Sequence, residues 1–448
     1  MKQISLIVIF LAAILPYASA QNESAVAWET SNLQSNEGRA LVRNWGNIAS
    51  ISIHPVEGGV RIAKTSFAMQ CATSGAPAST PIKLTRKISF PNLIVNDMRI
   101  VDHTAYFCGS LIDTTTYPPQ IQNGYIASFD IQELDSAGLN LSFHVFDSMR
   151  TFTRMVAYEA MAGHKVVAVG TCLTPSRYAI VENDVASNPA LGRALIDPYD
   201  VYCDVALVDT NVIVVGHDIS FGNCITLRRM NMNNVIDCLS VGGHKYCCLC
   251  PGEVNGMMRI TNMNDFYYAI SYTHVDDSTS QAYLRMRVFD LDMNNKYFQQ
   301  FPILVKDDPI EMLYDDDAEI LTVMHPMPFN STGFSYNYTY FVQMLPLVLG
   351  PYNANVLFPM FGKYTSFDGF DYNHYYVSVD SDHWYYQHTI APQPNPNGCP
   401  KVEKIDVLLI SELMTASWFS CNTVSISSHN ISKYVPVLNS DINLICND

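Results

Sequence analysis

The chain repeats a pattern of two short apolar strands. In each copy a turn residue (Asp, Asn or Gly) precedes a tight apolar or aromatic run. A loop follows, and then a second run alternates apolar and polar residues. In the clearest copy, Asp102 to Gly109 gives the first run and Gly124 to Asp130 gives the second; later copies begin at Gly163, Asp209, Asn264, Asp317 and Asn373. Alternation with a period of two is typical of half-buried β-strands.

The copies recur at a nearly constant interval. Their first runs are centred on Tyr106, Val167, Ile213, Tyr268, Leu321 and Tyr376, so the spacings are 61, 46, 55, 53 and 55 residues. The short alternating strand Ile51–Ile53 lies one interval earlier and makes a seventh copy. One four-stranded sheet cannot cover both of its faces, but sheets stacked radially cover one another. The sequence therefore predicts an all-β chain folded as a β-propeller of six to eight blades, with seven favoured.

Tandem β-sandwiches are the alternative fold, because their strands also alternate and their turns recur regularly. Helical periodicity is scarce, and only Asn188–Leu195 is expected to form a short helical turn. The glycine that closes the first run in three copies (Gly109, Gly170 and Gly216) is expected to let the chain turn sharply into the loop. Strands near Trp418–Val424 are expected to complete the first or last blade. At this level of architecture the chain resembles secreted β-propeller repeat proteins, over roughly residues 45–440, and it matches no named repeat family.

Residues 1–20 have the pattern of a cleavable signal peptide. Lys2 precedes the apolar run Ile4–Leu15, and the small residues Ala18-Ser19-Ala20 follow it. The run is shorter than the ~20 residues that a membrane-spanning helix needs, and no later segment is long enough. The sequence predicts cleavage before Gln21 and a secreted, periplasmic or cell-surface protein without a membrane span. Residues 21–44 are then a polar leader segment, and 45–448 form the propeller-like repeat domain.

The charge of the chain excludes some partners. Its formal net charge is −16, from 26 basic and 42 acidic residues. Nucleic-acid binding normally requires a basic patch, and the densest basic pair is Arg228-Arg229. Nucleic acid is therefore not expected as a partner, and a protein or glycan ligand is.

Several of the cysteines are expected to form disulfides, because the protein is predicted to be exported. The candidates are Cys203, Cys224, Cys238, Cys247, Cys248, Cys250, Cys399, Cys421 and Cys446. Zinc binding by the cluster at 238–250 with His244 is the alternative, since thiolates and an imidazole form closed tetrahedral sites. Calcium binding by acidic pairs such as Asp290 with Asp292 is a second possibility, but solvated turns are favoured. No cofactor is predicted.

The segment 361–388 is the most suggestive stretch for ligand binding. It contains ten aromatic residues and four aspartates. Aromatic rings with neighbouring carboxylates suit binding surfaces, and Tyr and Trp dominate protein-binding hot spots. The predicted binding residues are Tyr372, Tyr375, Asp380, Asp382, Trp384 and Tyr385. The alternative is that these aromatic side chains fill the space between blades.

Two functions remain open. The G-x-S-x-G, H-E-x-x-H and P-loop motifs are absent from the sequence, which favours a secreted or envelope-associated binding scaffold that presents loops to a protein or glycan. The alternative is a carbohydrate-active propeller enzyme that gathers Asp and Glu from several blades. Such an enzyme should bring two or more carboxylates together near the axis beside aromatic walls.

Overall fold

The computed structural model describes residues 24–30, 40–44, 49–56, 59–66 and 82–88 and, with gaps at loops, residues 93–447. Side chains are described mainly between residues 93 and 314. The regular structure of these residues is 34 β-strands and one 3-10 helix, Ile131–Asp135. No helix in the part so described is long and apolar enough to cross a membrane.

The strands form seven antiparallel sheets, which we number in chain order. Strand β1 (Ser24–Thr30) is the first strand described and belongs to sheet 7. Sheet 1 contains β2 (Ala40–Asn44), β3 (Ala49–Val56), β4 (Gly59–Ser66) and β5 (Ile82–Ile88). Sheet 2 contains β6 (Leu93–Val101), β7 (Thr104–Asp113), β8 (Gln120–Asp130) and β9 (Leu141–Phe146). Sheet 3 contains β10 (Met149–Ala160), β11 (Gly163–Cys172), β12 (Tyr178–Asp184) and β13 (Gly192–Asp197).

The later sheets repeat this meander. Sheet 4 contains β14 (Asp200–Val208), β15 (Asn211–Asp218), β16 (Cys224–Asn231) and β17 (Gly242–Cys247). Sheet 5 contains β18 (Gly252–Asn262), β19 (Tyr267–Asp276), β20 (Ala282–Asp290) and β21 (Asn295–Ile303). Sheet 6 contains β22 (Glu311–Asp315), β23 (Ile320–Ser331), β24 (Phe334–Met344) and β25 (Ala354–Pro359). Sheet 7 contains β26 (Tyr364–Asp371), β27 (His374–Val379) and β28 (His383–His388), followed by β1.

The sheets are arranged around an axis. The first strand of each sheet contacts the first strands of its two neighbours, and β26 of sheet 7 returns to β2 of sheet 1. This arrangement is a β-propeller, so the predicted all-β propeller class and the architectural resemblance are confirmed, and tandem sandwiches are excluded. The count of complete blades stays a prediction.

The first and last strands that the structure describes pair in sheet 7. Strand β1 pairs with β28 on one side and with β34 (Ile442–Asn447) on the other, so that Trp28 lies opposite Trp384 and Leu444. Strands β1 and β2 place part of the predicted leader, 21–44, inside the sheets. This moves the start of the sheet-forming chain from residue 45 to Ser24.

The last part of the chain adds outer strands to the sheets in reverse order. The strands are β29 (Lys401–Glu403) on sheet 6, β30 (Leu413–Trp418) on sheet 4, β31 (Cys421–Val424) on sheet 3, β32 (Ile426–Ile431) on sheet 2, β33 (Val435–Val437) on sheet 1 and β34 on sheet 7. The expectation that 418–424 completes the first or last blade was therefore wrong. Those residues extend sheets in the middle of the chain, because their outer edges were still open to pairing.

The predicted repeats correspond to the second and third strands of each sheet. Tyr106, Val167, Ile213 and Tyr268 lie on β7, β11, β15 and β19. Cores form where neighbouring sheets face each other; one example between sheets 2 and 3 includes Phe146, Phe152, Val166 and Val181. The expected helical turn at 188–195 was wrong from residue 192 onward. Strand β13 occupies that position, and its Leu195 is fully buried and pairs with Ile180.

Candidate functional site

Glycines on second strands shape the central channel. Gly109, Gly170 and Gly216 occupy equivalent positions on β7, β11 and β15. A Cβ atom at these glycines would lie 1.8, 2.0 and 2.1 Å from a carbonyl oxygen of the first strand. They permit this close approach and do not make a turn, which corrects the sequence-based interpretation. Beside each one the register of the first strand shifts.

The register shifts place charged residues on the inner strands. Asp97, Arg154 and Asp204 follow the shifts in sheets 2, 3 and 4. With charged residues on β6, β18 and β22, they form a group of six that we call the channel cluster. Its members are Asp97, Arg99, Arg154, Asp204, Arg259 and Glu311.

Asp97 ties sheet 2 to sheet 3. Its Oδ1 accepts hydrogen bonds from the Met98 amide at 2.9 Å and from Arg99 Nη1 at 2.8 Å. Its Oδ2 accepts one from the Met155 amide at 2.9 Å. Arg154 Nη1 lies 3.4 Å from Oδ1. Both oxygens of this buried carboxylate are therefore occupied, as a buried charge requires.

Asp204 repeats this arrangement between sheets 4 and 5. Its Oδ1 accepts a hydrogen bond from the Val205 amide at 2.8 Å, and its Oδ2 accepts one from the Ile260 amide at 3.0 Å. Burial raises the pKa of Asp204, while the positive charges of Arg259 and Arg154 oppose that rise. Two aspartates thus join two pairs of neighbouring sheets through backbone amides.

Glu311 brings sheet 6 into the cluster. Its Oε1 accepts a hydrogen bond from Arg154 Nη2 of sheet 3 and lies 3.5 Å from Arg259 Nε of sheet 5. Arg259 Nη1 donates to the Met258 carbonyl at 2.9 Å. Burial lowers the pKa of Arg259, and the nearby charge of Arg154 lowers it further. Three carboxylates and three guanidiniums of matched charge therefore lie on the described inner strands.

A second group of charged side chains lies at one end of the propeller. In an antiparallel four-stranded meander, the turns after the first and third strands emerge at the same end. We call this end, in sheets 2–5, the turn face. In the part of it that the structure describes, the exposed carboxylates are Asp102, Asp130, Glu159, Asp209, Asp265 and Asp292. Two large apolar side chains are exposed beside them, Met161 at 95% and Phe266 at 67%.

Contacts between neighbouring sheets make the turn face continuous. His164 Nε2 of sheet 3 lies 3.2 Å from Asp102 Oδ2 of sheet 2. Lys165 Nζ donates to the Asn233 carbonyl of sheet 4 at 3.0 Å. Arg229 Nη1 of sheet 4 donates to the Leu291 carbonyl of sheet 5 at 2.6 Å. Each contact joins a strand residue of one sheet to a turn of the neighbouring sheet.

The opposite end carries a different set of groups. Tyr117, Leu173 and Ile219 are exposed there, after the second strands of sheets 2, 3 and 4. The exposed charged residues described at this end of those sheets are Asp147, Arg150 and Arg177, so that both signs are present. Among the described residues of sheets 2–4, the exposed charges are therefore of one sign on the turn face and of mixed sign at the opposite end.

The predicted binding stretch lies in sheet 7. Tyr375 is on β27, and Trp384 and Tyr385 are on β28 between β27 and β1. The side chains of these three residues, and Tyr372, Asp380 and Asp382 as a whole, lie outside the described residues. The binding hypothesis for 361–388 stays a prediction.

Among the disulfide candidates, the structure describes the side chain of Cys203 only. It is a free, buried thiol, 3.7 Å from His217 Nδ1, which corrects its assignment to a disulfide. Cys108 and Cys172 are also free and buried. The side chains of Cys224, Cys238, Cys247, Cys248, Cys250, Cys399, Cys421 and Cys446 lie outside the described residues.

The described residues contain no group of three or more His, Cys, Asp and Glu placed to hold a metal ion. Asp290, one member of an acidic pair considered for calcium, accepts a hydrogen bond from the Asn294 amide at 2.8 Å. It also pairs with Lys296 Nζ at 2.8 Å. This carboxylate stabilises a turn.

In class, then, the protein is a β-propeller with a charge-filled channel. No protein-family model matches the chain, and no curated protein matches it. The WD40 domain of coronin from Toxoplasma gondii is similar in structure, with a TM-score of 0.48 and 9% identity over 85% of this chain and 88% of that one. The WD40 β-propeller domain of Doa1 has a TM-score of 0.43 and 9% identity over 81% and 97%. YCF48 from Cyanidioschyzon merolae has a TM-score of 0.33 and 6% identity over 81% and 98%. The propeller assignment rests on the sheets themselves.

Proposed function

We propose that this protein is an exported binding scaffold, secreted or associated with the cell envelope, that presents propeller loops to a protein or glycan. The observation that carries the proposal is the state of the channel cluster. Asp97 and Asp204 each use both carboxylate oxygens to hold neighbouring sheets together. Groups engaged in this way support a rigid platform and leave binding to the loops.

Export rests on the signal-peptide pattern of residues 1–20, and the position of the first described strand is compatible with it. Strand β1 begins at Ser24, so cleavage before Gln21 leaves it intact in sheet 7. The mass of the exported protein should correspond to a chain that begins at Gln21. Recovery of a chain that still carries Met1 from outside the cell would contradict this part of the proposal.

Binding is tested with the exported chain on protein and glycan arrays. Reproducible binding to members of one class supports the scaffold. For the segment 361–388, Trp384→Ala and Tyr385→Ala should weaken that binding while the melting temperature stays nearly unchanged. If both variants lose ~3–5 kcal/mol of stability and bind normally, these aromatic residues belong to the core.

A carbohydrate-active enzyme is the second candidate, because three carboxylates from different sheets converge in the channel. Burial raises the pKa of Asp204, as in many general acids. The hydrogen bonds from backbone amides to both of its oxygens favour the ionised carboxylate, and this weighs against a role as a general acid. Chromogenic glycosides test the enzyme: turnover by the natural chain and its loss in a folded Glu311→Gln variant would favour catalysis over scaffolding.

A further inference from the structure

We propose that the turn face binds a protein partner through a segment that carries Lys or Arg side chains around apolar residues. The inference rests on the proposed scaffold function and goes further by choosing the face and the chemistry of the partner. Its three supports are the unbalanced charge of the face, its two exposed apolar anchors and the rigidity of its turns.

The charge is unbalanced because the cations of this face are already engaged. Lys296 Nζ pairs with Asp290 at 2.8 Å. Arg229 Nη1 donates to the Leu291 carbonyl and lies 3.5 Å from Asp292, whose side chain is 84% exposed. Among the described residues of this face in sheets 2 to 5, exposed carboxylates therefore outnumber the available cations. A basic partner would be attracted to this face and oriented on it.

The apolar anchors lie within this acidic face. Met161 projects from the first turn of sheet 3 and Phe266 from the first turn of sheet 5. The equivalent turn of sheet 4, between them, carries exposed Asp209. Aromatic residues and Met are enriched at the centres of protein interfaces. A partner with apolar residues flanking a cation matches this order of anchor, carboxylate and anchor.

The turns are held in place before any partner binds. Asn264 Oδ1 accepts hydrogen bonds from the Phe266 amide at 2.9 Å and from the Tyr267 amide at 3.0 Å. Asp130 Oδ1 accepts one from the Gln132 amide at 2.8 Å. A surface that is already ordered loses less conformational entropy on binding.

The same features disfavour the other partner classes. Exposed carboxylates repel the phosphates of nucleic acids. Sugars stack on aromatic rings, and of the two anchors only Phe266 is aromatic. A basic, partly apolar protein segment uses both the anchors and the carboxylates.

The test begins with a selection of phage-displayed random peptides on the mature full-length chain. The expected peptides combine Lys or Arg with Leu, Phe or Met. One selected peptide is then synthesised and titrated by calorimetry. Phe266→Ser should weaken its binding about tenfold or more. The triple variant Asp209→Asn, Asp265→Asn and Asp292→Asn should weaken binding and flatten its dependence on salt.

The matched control is the triple variant Tyr117→Ser, Leu173→Ser and Ile219→Ser, which removes exposed apolar side chains from the opposite end. It should bind the peptide with unchanged affinity. The melting temperature of each variant is measured in parallel, so that a loss of fold is distinguished from a loss of binding.

Three outcomes would overturn the inference. If the selected peptides lose affinity for the control variant and keep it for Phe266→Ser, the binding surface lies at the opposite end. The proposed scaffold function would then still hold. If the chain binds a glycan and Phe266→Ser abolishes that binding, the turn face remains the binding surface, but its partner is a glycan and not a protein. The absence of any enriched peptide, together with blank protein and glycan arrays, would reject both the inference and the scaffold function.

Discussion

The channel cluster and the turn face both contain many charged side chains. Those of the channel cluster are paired within the molecule, whereas those of the turn face are largely exposed to water. In the channel, three carboxylates lie among three arginine side chains. Asp97 and Asp204 also accept hydrogen bonds from backbone amides. On the turn face, Asp209 is exposed and accepts a hydrogen bond from the Thr210 hydroxyl at 3.1 Å, and the side chain of Asp292 is 84% exposed although Arg229 Nη1 lies 3.5 Å away. The first group joins sheets, whereas the second leaves its charge available to a partner.

The difference follows from the cost of burial. A charge that leaves water needs a partner of opposite sign and hydrogen bonds to its remaining atoms. An exposed carboxylate retains its hydration and has no such requirement. A dense group of charges therefore indicates a binding surface only where those charges are unsatisfied within the molecule.

The largest expected effect comes from breaking the balance of the channel. Asp97→Asn removes the negative charge that faces Arg99 and Arg154 and places an amide group among hydrogen-bond donors. We expect a loss of about 3–5 kcal/mol in the free energy of unfolding, measured with urea. Asp209→Asn is the matched control and should change that free energy by no more than about 0.5 kcal/mol. Equal losses in the two variants would remove the distinction between the groups.

The next effect tests the backbone geometry that places the cluster. A Cβ atom in Gly170→Ala would lie 2.0 Å from the Thr151 carbonyl oxygen, so strands β10 and β11 would have to separate. We expect a loss of about 1–3 kcal/mol or more. Gly124→Ala is the control, since its Cβ would meet Met149 and Phe152 side-chain atoms at 3.1 and 3.2 Å. A greater loss at Gly124 would contradict the assigned role of Gly170.

The sequence predicted the second and third strands of the propeller because both carry apolar residues at regular positions. It did not predict the outer strands. Segments such as 421–424 are short, and their place depends on which sheet edge is open. Residues 192–195 show the same limit, since Leu195 becomes a strand residue through its pairing with β12.

The channel cluster was missed although its signal is present in the sequence. Asp97, Arg154 and Asp204 are charged residues in first strands, 12, 16 and 12 residues before Gly109, Gly170 and Gly216. In a linear sequence such residues look like ordinary polar strand positions. Their meeting depends on radial stacking, which brings residues far apart in the chain to one axis. Phe266 likewise gave no signal, because its exposure depends on the turn that Asn264 fixes.

Acid should affect the buried histidines before it affects the turn face. Burial lowers the pKa of His144 and of His217 below the ordinary value. The unfolded chain then binds more protons as the pH falls below ~6.5. Stability should be fully present above that pH and decline below it, until the lower folded pKa is reached.

Unfolding in urea at several pH values measures this decline, by at most about 1.4 kcal/mol per pH unit for each histidine. His144→Gln should flatten the dependence, since a glutamine oxygen can still accept the hydrogen bond from Asn183 Nδ2, 2.8 Å from His144 Nδ1. An unchanged slope in this variant would assign the acid sensitivity to other groups.

The smallest expected effect separates the two roles of an aspartate on the turn face. Asp209 has a φ of 52°, in the left-handed region that Asn and Asp enter more readily than other side chains. Asp209→Ala removes both the charge and this conformational preference, and should cost about 1 kcal/mol of stability. Asp209→Asn removes only the charge, should leave stability unchanged, and should still weaken the binding of a basic peptide. If the Asn variant binds as well as the natural chain, Asp209 only stabilises the turn, and the attraction for the Lys or Arg of the peptide must come from neighbouring carboxylates.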